Sequence, residues 1–227
     1  MIFLILGILL FVLILGPQYW ARHVLQKYSD HREDIPGTGA ELVKHLRKKF
    51  GLGHLNVEGT DLGDHYDPTD KTVRLSKENL DKRSLTAITV AAHEFGHALQ
   101  DHHQYKPLTT RTNMVRTAQK LERVGGIAML AMPFMAFTPA GARLALPLLL
   151  VVILSMLVNT IVHLVTLPVE FDASFGRALP ILREGQYISK SDYRAARRIL
   201  TACALTYLAS SLSGLLNFWR WLKVFRR

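Results

Sequence analysis

Residues 91–100 read Ala-Ala-His-Glu-Phe-Gly-His-Ala-Leu-Gln, which places the pattern H-E-x-x-H inside an apolar run. Two imidazoles and a carboxylate at this spacing have a specific chemistry open to them. On an α-helix, residues four apart stand one turn above each other. His93 and His97 can therefore aim ring nitrogens at a single metal ion. Glu94 lies about 100° round the helix from His93. It does not join the same ligand set comfortably, but it can reach a water on the metal. Zinc lowers the pKa of such a water to about 7. The expected chemistry is hydrolysis, with Glu94 taking the water's proton as it attacks a peptide carbonyl and then passing it to the leaving amine.

Such a site needs a third protein ligand, and two candidates exist. His103 lies ten residues after His93, which fits the extended pattern H-E-x-x-H-x-x-G-x-x-H in its histidines. That pattern uses its glycine to turn the chain sharply back to the metal. Here the position holds Gln100, and a side chain is costly in a left-handed turn. His102 and His103 are better placed to end the helix, where a cation suits the dipole. Glu170 is the stronger candidate, in Leu167-Pro168-Val169-Glu170-Phe171-Asp172-Ala173-Ser174 at the start of an expected helix. Asp172 is a rival carboxylate that would face elsewhere.

The elements that must position these residues are partly legible. Thr38-Gly39-Ala40-Glu41 is a capping box, and Leu42, Val43, Leu46 and Phe50 follow at helical spacing until Gly51. Val57 and Thr72 to Ser76 read as short strands flanking Asp67-Pro68-Thr69-Asp70, which has turn chemistry. Ser84 can cap the helix that carries the histidines, with Leu85, Ile88, Ala92, Phe95 and Leu99 as its apolar stripe. No repeat or low-complexity segment interrupts the chain.

Of the 227 residues, 49% are hydrophobic and 20% charged, with a mean hydropathy of +0.14. The apolar residues are unevenly spread, which suggests membrane spans joined to a polar part. Residues 1–20 read as an uncleaved transmembrane anchor. Residues 21–123 form a cytoplasmic catalytic segment with the H-E-x-x-H helix, and 124–167 a transmembrane hairpin turning near Pro139 to Arg143. Residues 168–198 form a cytoplasmic segment with the third ligand, and 199–227 a last span with a basic tail. The expected fold class is thus mainly α. It is a multi-pass membrane protein with about four transmembrane helices and a zincin-like unit with a small β-hairpin or edge strand. Residues 17–123 hold 17 Lys and Arg and residues 168–198 hold 6, which puts both segments on the cytoplasmic face. Two spans between His97 and Glu170 would return both to one face. The net charge of +10 follows these loops, so nucleic-acid binding is not expected. The single cysteine, Cys203, permits no disulfide within one chain and reads as a small buried hydrophobe.

The order of these motifs resembles a known family. Asp64-His65-Tyr66-Asp67-Pro68, Lys71-Thr72-Val73-Arg74-Leu75-Ser76, the H-E-x-x-H stretch and LPVEFDAS are similar to those of the YugP-like bacterial membrane neutral zinc metallopeptidases. The resemblance implies a gluzincin-type peptidase of the bacterial cell membrane with one Zn2+ per chain. More distantly the chain resembles the HtpX and CAAX-protease group, whose third ligand is the glutamate of E-x-x-A-D. That implies Glu170 as ligand and aligns Ala173 with the alanine. Ser174 stands where that group has aspartate, so an orienting carboxylate is not implied there, and Asp172 is a possible substitute.

Other residues have a bland and a sharper reading. Asp64, His65 and Asp67 are metal-ligand types, but a turn into the following strand is the simpler account. That strand, Thr72–Ser76, is a candidate edge for an extended peptide, with His65 or Tyr66 as an oxyanion donor. His163 and Arg177 each lie seven residues from Glu170. An interfacial histidine and a surface or lipid-headgroup role suit them. The expected function is a membrane-embedded zinc metalloendopeptidase acting on peptides or membrane proteins at the bilayer. Its rival is a catalytically silent zinc-binding membrane scaffold.

Overall fold

The computed structural model describes residues 2–135 and 141–206. The elements in chain order are helix α1 (Ile2–Lys27), α2 (Gly39–Lys49), strands β1 (Asn56–Gly59), β2 (His65–Asp67) and β3 (Thr72–Leu75), then α3 (Lys77–Asp81) and α4 (Leu85–His102). The chain continues with α5 (Lys106–Met135), α6 (Gly141–Phe171), a π-helical stretch (Asp172–Ala178) and α7 (Leu179–Glu184). A last helix, α8, covers 193–206.

Helix α4 lies at the centre. Ser84 caps it, its hydroxyl accepting from the Ala87 N–H at 3.0 Å, which satisfies one of the free donors of the first turn. From Leu85 to Gln100 every residue is buried, so the helix is covered on all sides and not along one stripe. Around it lie Leu42, Val43 and Leu46 of α2, Val73 and Leu75 of β3, Leu182 of α7, and Ile199 and Leu200 of α8. Burying an aliphatic side chain of this size stabilises the fold by roughly 1.5–3 kcal/mol. Helix α2 is set by the expected capping box, with Thr38 N–H on Glu41 Oε2 at 2.9 Å and Glu41 N–H on Thr38 Oγ1 at 3.3 Å.

The sheet has the order β1-β3-β2. Val73 of β3 lies opposite Val57 in a parallel pair and opposite Tyr66 in an antiparallel one. The strand expected to offer an edge is therefore the central one, with its hydrogen-bonding groups committed on both sides. His65–Asp67, expected as a turn, is β2 itself. The turn is tighter than the composition suggests, because Lys71 adopts φ +51° and Asp67 Oδ1 takes the Thr69 N–H at 2.8 Å.

Helices α5 and α6, of 30 and 31 residues, form an antiparallel hairpin. At about 1.5 Å per residue the chain travels some 45 Å out and the same distance back. That return brings residues far apart in sequence to one place. The expected multi-pass membrane architecture is not found. Among the described residues no helix is long and apolar enough to cross a membrane, and the fold class is mainly helical with a small sheet. Of the apolar runs counted as spans, the described part of the last one is used inside the protein. Ile199, Leu200, Ala202 and Ala204 of α8 belong to the core, as do Ala21 and Val24 of α1, which follow the expected anchor. Ala118, Ala128 and Val162 are buried within the hairpin region, where Ser155 of α6 comes so close to Gly125 that a Cβ there would collide. The hairpin also leaves Ile127, Leu130, Leu146 and Leu150 exposed. With the spans goes the sidedness argument built on them. The remainder of the expected fourth span, the basic tail and Pro139 lie outside the described residues, as does the side chain of His163.

One close approach ties the centre together. A Cβ on Gly96 would lie 2.7 Å from the Ala173 carbonyl oxygen and 3.3 Å from its Cα. Those are backbone atoms of the π-helical stretch, which cannot swing aside as a side chain can. Gly96→Ala is expected to destabilise the protein by about 1–3 kcal/mol, read as a lower urea midpoint. A variant as stable as the wild type would show that α4 and the π-helical stretch have room to spare.

Candidate metal centre

Helix α4 presents His93 and His97 from successive turns, and the last turn of α6 presents Glu170 to them. Glu170 Oε2 lies 3.2 Å from His97 Nε2 and 3.3 Å from His93 Nε2. One ligand atom from each of the three lies within 4.8 Å of the others, and all three residues are buried. Glu170 sits near the end of a long helix, not at the start of one as the sequence suggested. Pro168 lies inside α6, and a proline there removes a backbone donor. The chain then widens into the π-helical stretch, where the Leu179 N–H reaches back to Ser174 O. Such widened turns are frequent at functional sites.

Each histidine is held from its other ring nitrogen. Ser174 Oγ lies 3.0 Å from His93 Nδ1 and 3.3 Å from Leu200 O. Its single proton goes to the carbonyl, which leaves a lone pair to accept from His93 Nδ1–H. Gln100 Oε1 lies 2.9 Å from His97 Nδ1.

The residues fit a metal ion. Glu170 is fully buried, and its Oε1 has no hydrogen-bond partner; the Arg111 guanidinium is 3.8 Å away. A buried carboxylate oxygen left unmatched is costly. Its Oε2 meets two imidazole nitrogens, a convergence that a bound cation would answer. Burial pushes the Glu170 carboxyl up, yet the neighbouring His97 and His93 rings, by field and by hydrogen bonds, outweigh it and hold the group well below the usual carboxylate range. Two imidazoles and one carboxylate are a ligand set that zinc takes in hydrolytic sites with a position left open.

Glu94 is buried beside this cluster. Burial pushes its carboxyl up to about 7. The His93 charge and the Tyr66 backbone N–H oppose the rise, and the charges of Glu170 and Asp64 add to it.

The structure separates the remaining candidates. Helix α4 runs straight through Gln100, so His103 ends it, exposed, with its Nδ1 accepting from Arg177 Nη1 at 3.0 Å. Asp172 touches neither histidine; its Oδ2 accepts from Gln100 Nε2 and Arg177 Nε, both at 2.8 Å. Arg177 also lies over the Tyr105 ring. Asp64 caps the start of α3 through the Ser76 N–H and Asn79 Nδ2, at 2.7 and 2.8 Å. Asp67 accepts from Arg74 at 2.7 Å, and His65 Nδ1 donates to Gly63 O at 2.8 Å. The three are thus engaged separately and form no second cluster. The Tyr66 hydroxyl donates to Asp101 at 2.7 Å, which removes it as an oxyanion donor. Cys203 packs against the core, and burial raises its thiol pKa, as do the charges of Glu94, Asp64 and Glu170. Sequence reasoning missed Arg111 altogether and saw Gln100 and Ser174 only as departures from patterns.

The sign of the Glu94 effect on stability is testable in metal-free protein. Between pH 4.5 and about 7 the folded form keeps a proton that the unfolded chain has released. Stability therefore falls as pH rises across that window, by roughly 3 kcal/mol. Urea unfolding at pH 4.5 and 7 should show this fall in the wild type and a smaller one in Glu94→Gln. Equal slopes in the two proteins would rule it out.

Comparison with known proteins places this geometry in a family. A family described as "Putative neutral zinc metallopeptidase" matches residues 2–226. The "Putative membrane protease YugP" of Bacillus subtilis (strain 168) is 34% identical over 229 residues, covering 97% of this chain and 96% of that protein. No solved structure matches. The H-E-x-x-H helix, the distant glutamate and this match over nearly the whole length agree: the chain belongs to the neutral zinc metallopeptidase family so described.

Proposed function

We propose that this chain is a zinc-dependent metalloendopeptidase in which His93, His97 and Glu170 hold one zinc ion and Glu94 is the general base and acid. The observation that carries the reading is the position of Glu94. It is a buried carboxyl with its pKa pushed up to about 7, coupled to His93 and Glu170 yet outside the three-residue cluster. A zinc ion there would supply Lewis acidity to a peptide carbonyl and acidify water.

The chain's own groups do the rest. His93 and His97 present Nε2, because Ser174 and Gln100 engage Nδ1. Glu94 takes the proton of the attacking water and passes it to the leaving amine. Arg111 brings positive charge to the outer oxygen of Glu170. A silent zinc-binding scaffold would need the ligands but not a carboxyl tuned in this way.

The family description supports peptides as substrates. The relative's name supports a location at a membrane, as do the exposed leucines of the α5–α6 hairpin. Flotation with phospholipid vesicles tests the location: protein that stays with the soluble fraction would count against it.

The decisive experiment compares zinc content and cleavage of an unfolded protein. The wild type should carry one zinc, lose activity to a chelator and regain it on adding zinc. Glu170→Ala should lose the zinc and His103→Ala should keep it. Glu94→Gln should keep the zinc while its rate falls about 10²–10⁴-fold. Undiminished cleavage by Glu94→Gln, or a zinc-free active wild type, would sink the reading.

A further inference from the structure

Resting on that zinc reading, we propose that Gln100 is a positioning residue of the centre. It fixes the tautomer of His97 and locks the third ligand against α4. Gln100 is wholly buried. Its Nε2 lies 2.8 Å from Val169 O and 2.8 Å from Asp172 Oδ2. A carbonyl can only accept, and the Asp172 Oδ2 already accepts from Arg177 Nε at 2.8 Å. Both amide protons are therefore committed, and a flipped amide would set oxygen against two acceptors. The amide orientation is thus fixed, with Oε1 toward His97 Nδ1 at 2.9 Å. An oxygen there requires that His97 carry its proton on Nδ1. Nε2 then keeps its lone pair, on the side where Glu170 Oε2 lies at 3.2 Å.

The same side chain joins two pieces of backbone. Val169 and Asp172 flank Glu170 in sequence, so the two donated hydrogen bonds grip the chain on either side of the third ligand. One residue of α4 thereby sets the orientation of the second histidine and the place of the glutamate. Its partner toward His97 is neutral, as Ser174 is toward His93. Neither orienting group adds a negative charge to the ligand set, whereas a carboxylate partner would raise the basicity of the ring it holds.

The test combines zinc affinity with the state of the ring. Zinc dissociation constants are measured by competition with a chromophoric chelator for the wild type, Gln100→Met and Leu182→Ala. Methionine keeps most of the volume and loses the hydrogen bonds. Leu182→Ala opens a cavity in the core at a residue with no role in the centre. Gln100→Met should bind zinc about 10–100-fold more weakly, while Leu182→Ala loses stability and keeps its affinity. An unchanged constant in Gln100→Met, or an equal loss in Leu182→Ala, overturns the proposal. Long-range proton–nitrogen NMR of the metal-free wild type needs no variant to fold. His97 should be protonated on Nδ1 when neutral, and protonation on Nε2 overturns the proposal. A folded wild type that binds no zinc would refute the metal reading instead, and the tautomer would then judge Gln100 alone.

Discussion

A glutamate with no exposed surface faces two imidazoles across little more than 3 Å. Such a charge is tolerated in a protein interior only when something positive answers it. Much of the architecture serves to make and hold that meeting. The two histidines come from one helix and need no more than its periodicity. The glutamate comes from 73 residues further on, and its delivery requires the α5–α6 hairpin, the tight approach at Gly96 and the widened turn that follows α6.

These three devices act at different scales. The hairpin sets the return of the chain, a coarse placement governed by helix length. The approach of the Ala173 backbone to Gly96 sets the separation between α4 and the segment after Glu170. The hydrogen bonds of Ser174 and Gln100 then set the rotation of each ring. Both ring partners, Ser174 and Gln100, are neutral.

Outside the cluster, the charged residues mostly serve the frame. Asp64 caps α3, Asp67 and Asp70 hold Arg74, and Asp101 gathers Tyr66 and Lys71. Arg32 joins the loop after α1 to Asp192 ahead of α8. These contacts fix the small sheet and the segments after α1 and before α8 around α4. They leave Glu94 as the buried carboxyl beside the cluster that is held at neither end of its titration at neutral pH.

The sequence by itself determined what is local. The 3.6-residue period places His93 above His97, and the caps at Thr38 and Ser84 start their helices without help from distant residues. The elimination of His103 was also local, because Gln100 in place of glycine lets α4 run on. Glu170 was legible as a candidate, but its return to α4 comes from the packed α5–α6 hairpin, which no local pattern shows. Apolar runs read alike as spans, yet Ile199 and Leu200 are buried in the core while Ile127, Leu130, Leu146 and Leu150 stay exposed, and composition alone does not say which neighbour will cover a residue. The central place of β3 was hidden for the same cause: a strand's pattern shows its faces, not its pairing. The roles of Arg111, Ser174 and Gln100 depend on segments about 60 to 80 residues apart meeting at one point. Only the packed chain decides such meetings, because a hydrogen bond between distant residues leaves no period in the sequence that would announce it.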